Sequence, residues 1–264
     1  MTPLTVSLFV LLCIFGASIA GLFLRPLFPE DHLTAETKDV VKLVIGIVGT
    51  MTGMVLGLLV ASAKSSFDAQ RDGVAQLAAN LIVLDRALAH YGPEAQPARE
   101  GVQKSLYDML VRLWPDEQPP LATPAVDQVE KVRYDDVYDR ILFLEPKTDA
   151  QRTIKDVALG IVHSTTQLRW LLYSQRGNTL PKVFLILMVG WLAITFASYG
   201  LFAPRHATTF AVLLLGSFVV SSAVFLILEL DQPIGGIIRI SSQPLRNAAT
   251  QMEEAPGAVR PHGE

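Results

Sequence analysis

The sequence predicts an all-α integral membrane protein: four transmembrane helices, with a helical cytoplasmic domain inserted between the second and the third. Three observations predict it. Four windows of 21 residues, 4–24, 43–63, 183–203 and 208–228, contain no charged side chain. At about 1.5 Å per residue each reaches roughly 31 Å, the thickness of a hydrocarbon core. Between the second and third windows lie 119 residues with 15 basic and 16 acidic side chains, which is domain size. No stretch alternates apolar and polar residues with the period of a strand.

In chain order, residues 1–63 are the first helix pair. Ser18-Ile19-Ala20 imitates a signal-peptidase site, but no basic residue precedes the apolar run and the run continues to Leu24, so the window reads as a span. The domain, 64–182, opens with Phe67, Val74, Leu77, Leu81, Leu84, Leu88 and Tyr91, spaced by threes and fours apart from a skipped position at Gln70. That spacing predicts a helix continuing directly from the second span, because residues 61–72 hold neither proline nor glycine, and Gly92-Pro93 stops it. Val102, Leu106, Met109 and Leu113 mark a second helix, and residues 115–124 a proline-rich loop. Tyr134, Val137, Ile141 and Leu144 mark a third helix, and Ile154, Ala158, Ile161, Thr165, Leu168 and Leu172 a fourth. Residues 183–230 form the second span pair, joined by a tight Pro204-Arg205-His206-Ala207 turn. Residues 231–264 form a cytoplasmic tail. After Arg246 the tail is polar and expected to be disordered towards its end.

Composition excludes several classes. The net charge of −3, from 22 basic and 25 acidic residues, gives no basic field, and no Lys/Arg-rich run is present, so nucleic acid is not an expected partner. The only cysteine, Cys13, lies inside the first span, which rules out an intrachain disulfide or a cysteine-based zinc site. The five histidines are scattered and no nucleotide-binding loop occurs, so no catalytic residues, cofactor or metal site are expected, and the protein is not read as an enzyme.

The second span carries the most information. Lys42, Gly46, Gly49, Gly53, Gly57, Val60 and Lys64 recur at spacings of three and four, which gathers four glycines on one helical face with a lysine at each end. Such a face is either a small-residue stripe against which another helix packs or a wall of a permeation path. In the second case glycine leaves room, backbone dipoles are exposed and the lysines concentrate anions at the mouths. At the end of the fourth span, Glu229 and Asp231 oppose the helix dipole and need compensation. It comes either from basic residues such as Arg239 or Arg71 or from a cation, although two carboxylates fall short of a calcium ion's oxygens.

Three segments carry a resemblance: Gly57-Leu58-Leu59 through Ser66-Phe67-Asp68-Ala69-Gln70-Arg71; Tyr199-Gly200-Leu201-Phe202-Ala203-Pro204-Arg205-His206-Ala207; and Leu226-Ile227-Leu228-Glu229-Leu230-Asp231-Gln232-Pro233 with Gly236 and Ile240-Ser241. Together they resemble the motifs of the bacterial bestrophin-like membrane proteins, in order along nearly the whole chain. The resemblance implies a homo-oligomer, a pentamer in bestrophins, with two spans, a helical cytoplasmic domain, two further spans, and a pore for chloride or other small anions lined by the second span. It also singles out the motif residues Asp68, Arg71, Arg205, Glu229 and Asp231. The sequence departs from bestrophins in a Gly/Thr/Met-rich second span without an aromatic constriction, and in lacking a dense acidic clasp after the last span. The competing expectation is a non-conducting membrane scaffold or signalling protein whose helical domain binds a partner.

Basic residues near the membrane number seven on the side of the domain and termini (Lys64, Arg71, Arg169, Arg176, Lys182, Arg239, Arg246) against four on the other (Arg25, Lys38, Lys42, Arg205). The positive-inside rule therefore places both termini and the domain in the cytoplasm of a bacterial inner-membrane protein. A reporter fused after Glu264 should behave as cytoplasmic and one inserted at Asp31 as external. The reverse pattern would refute the orientation.

Overall fold

The computed structural model describes residues 2–27, 35–115, 134–174 and 182–253. Among them every regular element is helical: α1 (Pro3–Leu24), α2 (Ala35–Tyr91), α3 (Gln96–Leu113), α4 (Tyr134–Leu142), α5 (Asp149–Ser174), α6 (Lys182–Phe202), α7 (Ala207–Leu230) and α8 (Gln243–Glu253). Four of these, α1, α6, α7 and the first part of α2, are long and apolar enough to cross a membrane. The expected loop lies outside the described residues from position 116 onward, as does the tail beyond Glu253.

The chain divides into two compact units, one of residues 1–68 and 176–239, the other of 69–175 and 240–264. In the first, α1 packs along both α6 and α7. The α1–α6 approach is backbone to backbone. A side chain at Gly21 would overlap the carbonyl of Ala197, and one at Gly200 would overlap the carbonyl of Ser18. Apolar side chains hold helices together weakly in lipid, which is as apolar as they are, so close approach and interhelical hydrogen bonds carry the association. The α1–α7 side supplies one such bond, from Ser221 Oγ to the Ser7 carbonyl at 2.5 Å, with Ser221 buried. Val10, Ile14, Met188, Leu192 and Val224 fill the space between, and Leu56 and Leu59 of α2 pack against them.

Two arginines lock one end of this bundle reciprocally. Arg25, just past the end of α1, donates through Nη1 to the Ala203 carbonyl at the end of α6, at 3.2 Å. Arg205, just past the end of α6, donates through Nη2 to the Leu22 carbonyl of α1, also at 3.2 Å, and lies 5.7 Å over the Phe23 ring. Each cation meets the carbonyls and the negative dipole end of the other's helix.

In the second unit, the α2 residues Val74, Leu77, Leu81, Leu84, Leu88 and Tyr91 are all buried, and α2 runs unbroken from its membrane segment to Tyr91. Gly92, at φ 124°, then turns the chain in a conformation that side chains resist. Arg99 of α3 forks onto Asp85 of α2 through Nε and Nη2, at 3.1 and 3.0 Å, in a buried pair. Helix α8 packs on α3. Leu245, Ala248, Ala249 and Met252 are buried, Trp114 Nε1 donates to the Ile240 carbonyl at 2.9 Å, and Tyr107 donates its hydroxyl to Glu253 at 2.5 Å. Burial, with help from Glu253, pushes the Tyr107 phenol up to about 12. The polar stretch after Arg246 is thus helical through Glu253, because Ala248, Ala249 and Met252 find apolar seats.

The α1–α6 seam is directly testable. Gly200→Ala should lower the thermal stability of the detergent-solubilised protein by about 1–3 kcal/mol, the usual cost of overpacking. Gly190→Ala, on the same helix but with open space at its Cβ position, should be neutral or slightly stabilising. Equal effects would show that the backbone approach contributes nothing.

Candidate functional site

The glycine face of α2 is open within its own chain. Among the described residues, no atom outside the helix lies within 4 Å of where a Cβ would stand on Gly46, Gly49, Gly53 or Gly57. The residues that α2 buries near the membrane, Ile45, Thr52 and Ala63, lie on a different face, about a quarter turn round the helix. A third face carries Leu43, Ile47, Met51, Met54 and Leu58, all exposed. Close helix packing of the kind glycine permits is found between α1 and α6, at Gly21 and Gly200, two residues outside the stripe read from the sequence. The signal was present as Ser18-x-x-Gly21 and Ala197-x-x-Gly200, two pairs of small residues at helical spacing.

Both lysines at the ends of the stripe are exposed and paired on their own helix. Lys42 Nζ is 3.2 Å from Asp39 Oδ1, with both side chains more than two-thirds exposed. Lys64 Nζ reaches both oxygens of Asp68 at 2.5 Å. Exposed pairs of this kind contribute about 0.3–0.5 kcal/mol and compete with water and mobile ions. Between them, Thr50 returns its hydroxyl to the Gly46 carbonyl at 2.8 Å. Arg71 is exposed on α2 beyond the membrane segment.

At the end of α7, Glu229 is buried, and backbone amides meet its charge. The amides of Ile237 and Ile238 both donate to its Oε1, the latter at 3.0 Å. Gly236 is what permits this. A Cβ there would run into the same carboxylate, so glycine at that position lets the chain fold back closely over Glu229. Arg239 donates Nε to the Gly236 carbonyl at 2.7 Å, which steadies the loop that covers the acid. Asp231 Oδ1 is buried with no hydrogen-bond partner among the described residues. Among those residues no three carboxylates, histidines or cysteines are grouped as a metal ion would need. The motif residues thus form separate constellations: Arg205 at one end of the α6–α7 pair, Glu229 at the other end of α7, and the glycine face along α2.

A family model, described as Bestrophin-like domain, matches residues 11–245. No curated protein and no solved structure matches the chain.

If Glu229 organises the loop, Glu229→Ala should leave two partly buried amides without acceptors, at about 1–3 kcal/mol each. Hydrogen exchange at Ile237 and Ile238 should accelerate, while that at the Leu213 and Ser217 amides of α7 stays slow. Unchanged exchange at Ile237 and Ile238 would refute the role assigned to Glu229.

Proposed function

The chain belongs to the bestrophin-like family, and from that membership we propose that it is a homo-oligomeric channel for chloride or other small anions, with α2 facing the symmetry axis. The observation that carries this reading is how little of α2 its own chain covers. Only 11% of its membrane segment is buried, against 33% for α1, 22% for α6 and 28% for α7. A helix left uncovered by its own fold, with room along a glycine face, suits a position shared between copies around a central path. There the glycines keep the cross-section wide and expose peptide dipoles to an ion. Lys42 and Lys64 stand at the two mouths, where a ring of ammonium groups raises the local anion concentration. By resemblance the ring is a pentamer, and by charge balance the inserted helical unit and both termini face the cytoplasm of a bacterial inner membrane. The reading is of transport, not catalysis.

Chloride flux from liposomes containing the purified protein tests it. Lys42 is the discriminating position, because it is exposed at the end of the span and contributes little to packing. Lys42→Glu should leave oligomer mass and thermal stability unchanged while lowering the chloride-to-cation permeability ratio at least about threefold. An unaltered ratio would remove Lys42 from the mouth. Absence of flux in the unmodified protein would replace the channel with a non-conducting scaffold whose helical unit binds a partner.

A further inference from the structure

Helices α6 and α7 diverge from their connecting turn, and between them opens a groove of about 470 Å³ lined by Phe196, Tyr199, Ala203, Thr208, Val212 and Gly216. That volume falls within the range of small-molecule sites, about 300–1,000 Å³. The walls are almost wholly apolar and open outward: Val212 is 67% exposed and Tyr199 46%. The lining residues belong to the two apolar spans, so the groove lies at membrane depth and its upper end, at Ala203 and Thr208, lies at the interface with water. That end is where the two arginines sit. Arg25 donates to the carbonyl of Ala203, itself a groove residue, and Arg205 stands in the turn between Ala203 and Thr208. Each guanidinium has five N–H donors and spends one of them on a carbonyl. Neither forms an ion pair with a carboxylate among the described residues, so beyond the helix ends they cap both keep N–H donors for an anion next to the groove.

We propose that the α6–α7 groove seats an acyl chain of a phospholipid whose phosphate is held by Arg25 and Arg205. The occupant follows from the charge and the depth together. An apolar slot at membrane depth excludes water and accepts hydrocarbon, and guanidinium at the interface binds phosphate through paired, charge-assisted hydrogen bonds. A diacyl phospholipid joins the two chemistries at the spacing a bilayer sets. With it bound, both arginines remain helix caps and acquire a counter-charge. The inference stands apart from conduction, since the groove and its arginines lie on α1, α6 and α7 and not on α2.

The full chain, purified and delipidated in detergent, can be titrated with dioleoylphosphatidylglycerol and read by native mass spectrometry. One retained lipid per subunit is expected, bound at least about tenfold more tightly than dioleoylglycerol, which has the same chains without phosphate. Glycerol 3-phosphate, which has the phosphate without chains, should not displace it. Arg205→Gln should weaken retention about tenfold. Because that variant also disturbs a helix cap, Val212→Trp provides an independent arm: it fills the groove, leaves both arginines alone and should weaken retention equally. Val219→Trp, exposed on the same helix but outside the groove, should bind as the unmodified protein does. Equal binding of dioleoylglycerol, displacement by glycerol 3-phosphate, retention unaffected by Val212→Trp, or equal loss with Val219→Trp would each overturn the proposal. So would a change of oligomer mass on Val212→Trp, which would assign the groove to a second copy of the chain.

Discussion

The contact on which the membrane unit depends is the meeting of the α1 and α6 backbones at Gly21 and Gly200. Hydrophobic burial does not discriminate one apolar helix from another inside a bilayer, so a specific arrangement needs something lipid cannot imitate. Two carbonyl oxygens, those of Ala197 and Ser18, occupy the positions that side chains would otherwise fill. With α6 fixed at that distance, the turn after Phe202 falls within reach of Arg25, and the end of α1 falls within reach of Arg205. The serine bond from α7 to Ser7 completes the three-helix group from its other face. Helices α6 and α7 both lie against α1, and the groove opens between them next to their connecting turn.

The same economy governs the chain after α7. A carboxylate at the negative end of a helix is unfavourable unless donors surround it, and the loop beyond Pro233 supplies them from its own backbone. Glu229 and Gly236 act as a pair: the acid binds the loop, and the missing side chain lets the loop come close enough to be bound. They stand seven positions apart, and one of them carries no functional group.

Much of the fold was legible in the sequence, for physical reasons. Charge-free windows of bilayer length admit one structure, since only a helix satisfies its own backbone in hydrocarbon. The three-and-four spacing from Val74 to Tyr91 showed the buried face of α2 because the helix passes from lipid into a water-exposed setting, where apolar residues must hide. Helix α8 escaped notice because its seats are small: two of its four buried residues are alanines, which barely raise an apolar signal among polar neighbours. The glycine stripe of α2 is visible by its length, whereas the α1–α6 seam depends on two glycines in separate helices, a pairing that no single-helix pattern displays. For Glu229 the need for compensation could be deduced, but not its source, because backbone amides leave no mark in a sequence.

The α1 seam also has a consequence in time. Ser7, Ser18 and Gly21 are made first, and their partners Ser221, Gly200 and Ala197 lie roughly 180 to 210 residues later in the chain. At about 5–20 residues per second of synthesis, α1 waits on the order of ten to forty seconds in the membrane with its notch unfilled. Through that interval α2 is the other span present, and its open glycine face offers a small-residue surface like the one α6 later supplies. Correct assembly therefore depends on α1 and α2 remaining indifferent to each other until the second span pair arrives.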